Sequence, residues 1–277
     1  MRIGAIALLL WLTLPAVVAA RPALAASAVE IRGAAMRVAI VPERRSDVRV
    51  IFLRTNPRLP LRVRSAGGRI VITGDVSRRV RACDGRNVDL WGRGDVPYAA
   101  LPYVVVRTPL AVRVAAGDAV FGVIGRSASV DFTNKGCGNW TIANTRGRLR
   151  LDQAGAGQSR AGSAGSGDLS VAGSGRIAVL SLAGGMMAVS SGSGDIDVGH
   201  SAGPMDVRIA GTGDVTVASG DITHIEASIA GSGDIRVGGV SQSLTATVTG
   251  SGSVTVGRVT GPVIRRVFGP GSVRVGP

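Results

Sequence analysis

The sequence predicts an all-β protein: a parallel, right-handed β-helix, or β-solenoid, with coils of 19–20 residues, preceded by a β-rich N-terminal cap. Three observations support this prediction. Glycine makes up 41 of the 277 residues while aromatic residues contribute only 3%. A Gly-x-Gly motif followed by alternating apolar residues returns at a nearly constant interval. Between these motifs the alternation has the period of two that is typical of strands, and no helical spacing is present.

Residues 1–25 have the pattern of an export signal. Arg2 is followed by an apolar run over residues 3–18, and Ala23-Leu24-Ala25 matches a signal-peptidase site. A membrane anchor is the alternative, but the run is shorter than the roughly 20 residues that a spanning helix needs. We therefore expect cleavage after Ala25 and no membrane span in the mature chain. The mature protein would reside in the periplasm or on the outer surface of a bacterium.

Residues 26–106 form the predicted β-rich cap. Short alternating runs occur at residues 29–31, 36–40, 48–52, 61–63 and 70–72, without the Gly-x-Gly period. The ends of a β-helix carry unpaired strand edges, which proteins usually cover. This region holds 15 Arg against seven acidic residues. We therefore expect an ordinary solvated basic surface, and the alternative is an anion-binding face, which would lie near the N-terminal part.

Residues 107–277 form the predicted β-helix domain. Its clearest copies begin at Gly173, Gly192, Gly211, Gly231, Gly250 and Gly269, and weaker copies begin at Gly136 and Gly155. The corners need a chain reversal, for which a positive φ at glycine is the expected reason. The predicted corner glycines are Gly173, Gly175, Gly192, Gly194, Gly211, Gly213, Gly231, Gly233, Gly250, Gly252, Gly269 and Gly271.

Equivalent positions of successive coils should stack about 4.8 Å apart. Two interior rows follow from this spacing. The first contains Ile196, Val215, Ile235, Val254 and Val273, and the second contains Val198, Val217, Val237, Val256 and Val275. Their aliphatic character suits a narrow core between two sheets.

Two cysteines, Cys83 and Cys137, are an even number in a chain that we expect to be exported. A disulfide between them is the preferred interpretation, and two buried thiols are the alternative. The bond would link the cap to the first coils. His200 and His224 lie far along the chain without a surrounding ligand cluster, so the sequence predicts neither a metal centre built on them nor any cofactor.

A row of aspartates follows three consecutive Gly-x-Gly corners, at Asp195, Asp214 and Asp234. We expect each carboxylate to accept hydrogen bonds from backbone N–H groups of its own turn. The alternative is a ladder that binds a divalent cation such as Ca²⁺, because stacked carboxylates repel each other. The calcium-binding nonapeptide pattern itself does not fit, since here Asp follows Gly directly and returns only every 19 or 20 residues.

The main enzymatic alternative is a polysaccharide lyase or glycosidase on a β-helix. Such an enzyme needs clustered carboxylates, or an acid with a base, on one outward face. The outward row that includes Asp197, Thr216 and Arg236 alternates in charge without clustering acids. We therefore predict no catalytic residues and no enzyme activity.

The repeated GSGDIxV corner, the V-x-V-x-G strands and the Gly/Ser richness together resemble the auto-transporter adhesin head GIN domain family. The resemblance covers about residues 30–277 and is most specific over 165–275. It implies a β-helix and no established catalytic residues.

The predicted function is therefore that of a non-enzymatic envelope or cell-surface protein. Its partner would be an anionic envelope polymer, lipid headgroups or another envelope protein, and a periplasmic scaffold is a further alternative. Nucleic acid is excluded by export and by the scarcity of aromatic side chains. The sequence specifies neither one ligand nor an oligomeric state.

Overall fold

A computed structural model describes residues 27–277, so the predicted signal segment over residues 1–25 lies outside the described residues. The N-terminal part contains β1 (Ala28–Arg32), β2 (Ala35–Glu43), β3 (Arg49–Arg54), β4 (Arg62–Ala66), β5 (Arg69–Thr73), β6 (Val80–Cys83), β7 (Asn87–Leu90), β8 (Gly94–Pro97) and a 3₁₀ turn (Tyr98–Ala100).

The remaining strands are β9 (Tyr103–Pro109), β10 (Ala111–Ala116), β11 (Ala119–Ile124), β12 (Ser129–Asn134), β13 (Trp140–Ile142), β14 (Arg148–Gln153), β15 (Gln158–Ala164), β16 (Ser166–Val171), β17 (Arg176–Leu182), β18 (Met186–Ser190), β19 (Asp195–Ile209), β20 (Val215–Gly231), β21 (Ile235–Ser241), β22 (Leu244–Gly250), β23 (Ser253–Val259), β24 (Val263–Phe268) and β25 (Ser272–Val275). Within residues 27–277 no α-helix occurs, and no helix there is long and apolar enough to cross a membrane.

These strands form the predicted parallel β-solenoid, with about nine coils spaced about 19 residues apart. Each coil contributes one strand to each of two parallel ladders. Ladder A contains β5, β1, β10, β12, β14, β16, β18, the second parts of β19 and β20, β22 and β24. Ladder B contains β9, β2, β11, β13, β15, β17, the first parts of β19 and β20, β21, β23 and β25.

The interior rows have the predicted register in ladder B. Ile196 pairs with Val215, Val215 with Ile235, and Ile235 with Val254. Each of these four side chains is fully buried. The second row, from Val198 to Val275, stacks in the same way. A single apolar cluster extends through these coils, because every interior position contacts its equivalents above and below.

The N-terminal strands β1 and β2 extend the parallel ladders, although the sequence before residue 107 lacks the repeat. β1 and β2 form one coil. On one side this coil pairs with β5 and β9, and on the other side it pairs with β10 and β11. Chain order and spatial order therefore differ here. Two antiparallel strands, β3 beside β9 and β4 beside β5, complete this end of the ladders. The predicted division of domains at residue 106 stays a prediction.

The stretch between residues 78 and 102 contains a separate small antiparallel sheet of β6, β7 and β8. Its inner side packs on a second apolar cluster that includes Val88, Leu90 and Phe121. The predicted disulfide between Cys83 and Cys137 is confirmed, with 5.8 Å between the two Cα atoms. It joins β6 to the corner that precedes β13, and both cysteines pack against this second cluster.

The corner glycines have a different physical reason from the predicted one. Only Gly231, Gly250 and Gly269 among them have a positive φ, so the expectation of a left-handed backbone at each corner is wrong. A Cβ at Gly192 would instead lie 2.5 Å from the carbonyl oxygen of Gly173 in the preceding coil. The corners need glycine because the backbones of adjacent coils approach too closely for a side chain.

Candidate functional site

The aspartate row lies along one corner of the solenoid, at the start of the ladder B strands. The Asp195 Oδ1 accepts a hydrogen bond from the backbone N–H of Asp214 at 3.1 Å, and the Asp214 Oδ1 accepts one from the N–H of Asp234 at 2.9 Å. The Asp234 Oδ1 in turn accepts from the N–H of Ser253 at 2.8 Å. Each carboxylate thus ties its coil to the next one.

The donor for each aspartate belongs to the following coil, so the expectation that it belongs to the same turn is wrong. The reason is geometric, because the coils stack at strand spacing and place the equivalent N–H one coil further on. Asn139 does the same for the N–H of Gln158 at 3.0 Å. The row is therefore a device that fixes the register of adjacent coils.

Two arginines occupy the outer oxygens of the aspartate row. Arg176 donates from Nη2 to the Asp195 Oδ2 at 2.7 Å. Arg236 donates to the Oδ2 atoms of both Asp214, at 2.9 Å, and Asp234, at 2.5 Å. Burial opposes ionisation of Asp195, but the Arg176 guanidinium and the N–H of Asp214 outweigh it and hold the pKa of this carboxyl below its usual range.

A divalent cation at this row would have to displace Arg176 and Arg236 from oxygens they already occupy. The repulsion that motivated the cation alternative is relieved by the two guanidinium groups and the backbone donors. Among residues 27–277, no group of three or more His, Cys, Asp or Glu side chains is arranged to hold a metal ion.

We expect Asp214→Ala to destabilise the protein by about 1–2 kcal/mol, because it leaves the Asp234 N–H without its acceptor and removes one of the two carboxylates that Arg236 binds. Asp214→Asn keeps an acceptor oxygen for that N–H and should cost less. Thermal unfolding followed by circular dichroism measures both variants, with and without added Ca²⁺. Stabilisation by Ca²⁺ in the wild-type chain but not in Asp214→Ala would contradict the structural role and support the cation ladder.

A groove of about 400 Å³ on ladder A brings together acidic residues that the sequence reasoning did not single out. Asp206, Glu226 and His224 all line it, and Asp206 and Glu226 are paired positions on adjacent coils. Burial, and then the neighbouring Glu226, raise the pKa of Asp206, while Arg208 at 2.6 Å from its Oδ2 opposes this rise. The 20-residue interval between Asp206 and Glu226 could have indicated the pair, since it equals one coil.

Four arginines that have no acidic partner among residues 27–277 lie on the two outer strands at the N-terminal end. Arg49 and Arg54 lie at the ends of β3, and Arg62 and Arg64 lie on β4. All four are exposed, and within residues 27–277 none forms an ion pair. The Arg54 guanidinium donates to the carbonyl of Ala99. This strand-borne cationic surface is called the N-terminal arginine face below.

Arg37 has a different environment from these exposed arginines. Its guanidinium lies 5.1 Å from the ring centroids of both Tyr98 and Tyr103. Such cation–π contacts hold the side chain between two elements of the N-terminal region. We therefore assign Arg37 a packing role and do not include it in the arginine face.

The fold of residues 27–277 and these surfaces define a class of protein, which is a parallel β-solenoid with exposed, charged faces. A family profile described as "Putative auto-transporter adhesin, head GIN domain" matches residues 104–260, more than half of the chain. The protein belongs to this family.

A solved structure is similar to almost the whole chain. This crystal structure, described as a "Putative lipid binding protein" from Parabacteroides distasonis ATCC 8503, is similar over 91% of this chain and 93% of its own, at 16% identity and a TM-score of 0.46. A comparison with curated proteins gives no match.

Proposed function

We propose that this protein is an exported, non-enzymatic binding module that attaches to an anionic polymer of the bacterial envelope through its N-terminal arginine face. The observation that carries this proposal is the set of four exposed arginines, Arg49, Arg54, Arg62 and Arg64, that lack carboxylate partners within residues 27–277. Guanidinium groups bind phosphate and carboxylate with two parallel hydrogen bonds, which makes them suited to such polymers. The membership in an adhesin head family agrees with an adhesive role.

The arrangement of these arginines suits a repetitive ligand. β3 is the outermost strand of ladder B and β4 is the outermost strand of ladder A, and their four arginines are exposed at this end of both ladders. Several weak, equivalent contacts to a repeating polymer combine into tight binding, whereas a small molecule would occupy only one of them. Exposed Phe52 and Leu53 lie between the arginines of β3 and offer apolar contacts to a sugar ring.

The enzymatic alternative has one concrete location, the groove of Asp206, Glu226 and His224. A carboxyl with a raised pKa beside a second carboxylate is the arrangement expected of a general acid and its partner. Against a catalytic role, Arg208 holds one oxygen of Asp206. We therefore place the function in binding and use a product assay to test the alternative.

The binding proposal is tested with the chain of residues 26–277 on immobilised lipopolysaccharide and polygalacturonate. We expect retention that weakens with added salt, and an affinity at least about tenfold lower for the double variant Arg62→Glu/Arg64→Glu. The matched control is Arg126→Glu/Arg146→Glu, which reverses two exposed arginines that form no ion pair within residues 27–277 and lie on other coils.

Equal loss in the two double variants would contradict a localised site, and retention by neither polymer would contradict the proposal itself. Chromatography of the polymers after incubation provides the product assay. Shortened or unsaturated products that disappear in Asp206→Asn would show catalysis and overturn the non-enzymatic function.

A further inference from the structure

The C-terminal end of the solenoid presents open strand edges. Within residues 27–277, β24 pairs only with β22 and β25 pairs only with β23. Among residues 27–277 no strand occupies the other edge of either one. Each open edge offers backbone N–H and C=O groups that a further strand could satisfy.

The side chains of β24 continue the rows of the preceding coils. Val263, Arg265 and Val267 follow the buried Leu244, Ala246 and Val248 in the interior rows. Arg265 therefore stands at a position that is apolar in every preceding coil from β18 onward.

The other three β24 side chains face outward, and two of them are large and apolar. Ile264 is 48% exposed and Phe268 is 62% exposed, with Arg266 between them. The edge thus combines exposed apolar and cationic side chains on a single strand. We call Val263–Phe268 the β24 edge.

The charge of this end is uniformly positive. Residues 251–277 contain Arg258, Arg265, Arg266 and Arg274 and no acidic residue. None of the four forms an ion pair with residues 27–277, whereas Arg176 and Arg236 in earlier coils are paired with aspartates. An occupant of this edge must therefore supply negative charge.

A second copy of the chain does not meet this requirement. Two C-terminal ends would bring arginine against arginine, and the opposite end carries Arg62 and Arg64 on its outer strand. Adding any coil over Arg265 without an acid would also bury an uncompensated charge in the interior row. Inward-pointing charges of this kind are a known protection against edge-to-edge association.

We propose that the β24 edge binds an extended acidic segment of another protein, which adds as one further strand. Opposite Val-Ile-Arg-Arg-Val-Phe, the partner strand places two neighbouring carboxylates against Arg265 and Arg266 and apolar residues on both sides. The β24 sequence has two apolar, two basic and two apolar residues, an order that is the same in both directions. A partner strand with two apolar, two acidic and two apolar residues therefore fits in either the parallel or the antiparallel direction. This binding is separate from the proposed polymer attachment at the other end.

The probe is the synthetic peptide Gly-Thr-Val-Ile-Glu-Glu-Val-Phe-Thr-Gly, measured by fluorescence anisotropy with the chain of residues 26–277. We expect saturable binding that weakens with salt, and no binding of the matched peptide with Lys-Lys in place of Glu-Glu. In Arg265→Glu/Arg266→Glu the preference should reverse to the Lys-Lys peptide. The control Arg62→Glu/Arg64→Glu should retain the wild-type preference, which also separates this result from the polymer experiment.

Amide NMR signals give a test on the wild-type chain that does not depend on the folding of a variant. Titration with the Glu-Glu peptide should shift the backbone amides of residues 263–268 before others. Equal binding of both peptides, or shifts elsewhere only, would overturn the proposal. Binding of phosphatidylglycerol vesicles without competition from the peptide would assign the edge to a lipid surface, and concentration-dependent dimers that dissociate in the charge-reversed variant would assign it to a second copy.

Discussion

We expect Gly194→Ala and Gly233→Ala each to destabilise the protein by about 2–4 kcal/mol. Neither glycine has a positive φ, so backbone strain is not the reason. An added Cβ would overlap the carbonyl oxygen of the glycine one coil earlier, which is Gly175 for Gly194 and Gly213 for Gly233. The obstacle is backbone and cannot rotate away, so the two coils would have to separate. Chemical denaturation followed by circular dichroism measures the decrease in the free energy of unfolding.

Two controls separate crowding from the other consequences of mutating a corner. Ser193 lies between two corner glycines with an exposed side chain, and Ser193→Ala should change stability by less than about 0.5 kcal/mol. Gly68 has a φ of +71°, but within residues 27–277 no atom beyond its own chain neighbours lies within 4 Å of the point that a Cβ would occupy. Gly68→Ala therefore reports backbone strain alone, at about 1 kcal/mol. If Gly68→Ala proved more damaging than Gly194→Ala, the crowding explanation would be wrong.

The regular coils were predictable from sequence because their spacing is nearly constant. Once the interval of 19 or 20 residues is known, the rows through Ile196 and Val198 follow without any structural information. The same arithmetic places Arg265 in an interior row, since Ala246 precedes it by one coil. A feature that depends only on register can therefore be derived from a repeat.

The N-terminal arrangement was not predictable, because its contacts have no period. Val29 pairs with Ile70 on one side and with Val114 on the other, at unequal sequence separations. At this end, the packing of the whole N-terminal region determines which strands pair with each other. The strands themselves were still predicted, since alternation of apolar and polar residues is a local signal.

The aspartate row shows why residue type alone did not identify its partners. A carboxylate beside a glycine-rich corner can accept from its own turn or from the next coil, and both satisfy the same hydrogen-bonding rule. The outcome depends on the direction in which the side chain projects along the solenoid. The structure assigns the donors to the next coil and so gives Asp195, Asp214 and Asp234 one role, which is coupling between coils.

Removing the disulfide with Cys83→Ser/Cys137→Ser should destabilise the protein by about 2–4 kcal/mol, with the effect confined to the N-terminal region. The bond spans 54 residues and holds the sheet of β6–β8 on the coil that contains Cys137. That sheet pairs with no strand of the solenoid within residues 27–277 and is otherwise held by a small apolar cluster around Leu90 and by Arg93, which pairs with Asp75. We therefore expect it to detach locally before the coils unfold.

Limited trypsin digestion measures this detachment, because Arg78, Arg79, Arg81 and Arg86 are exposed within and beside the small sheet. Cleavage there should accelerate at least about tenfold in the double variant and in the reduced wild-type protein. Hydrogen exchange in β19–β23 should stay unchanged, since these coils are joined by their own ladders and by the aspartate row. Faster exchange throughout the solenoid would instead show that the disulfide stabilises the whole stack, because unfolding of the N-terminal end would then propagate from coil to coil.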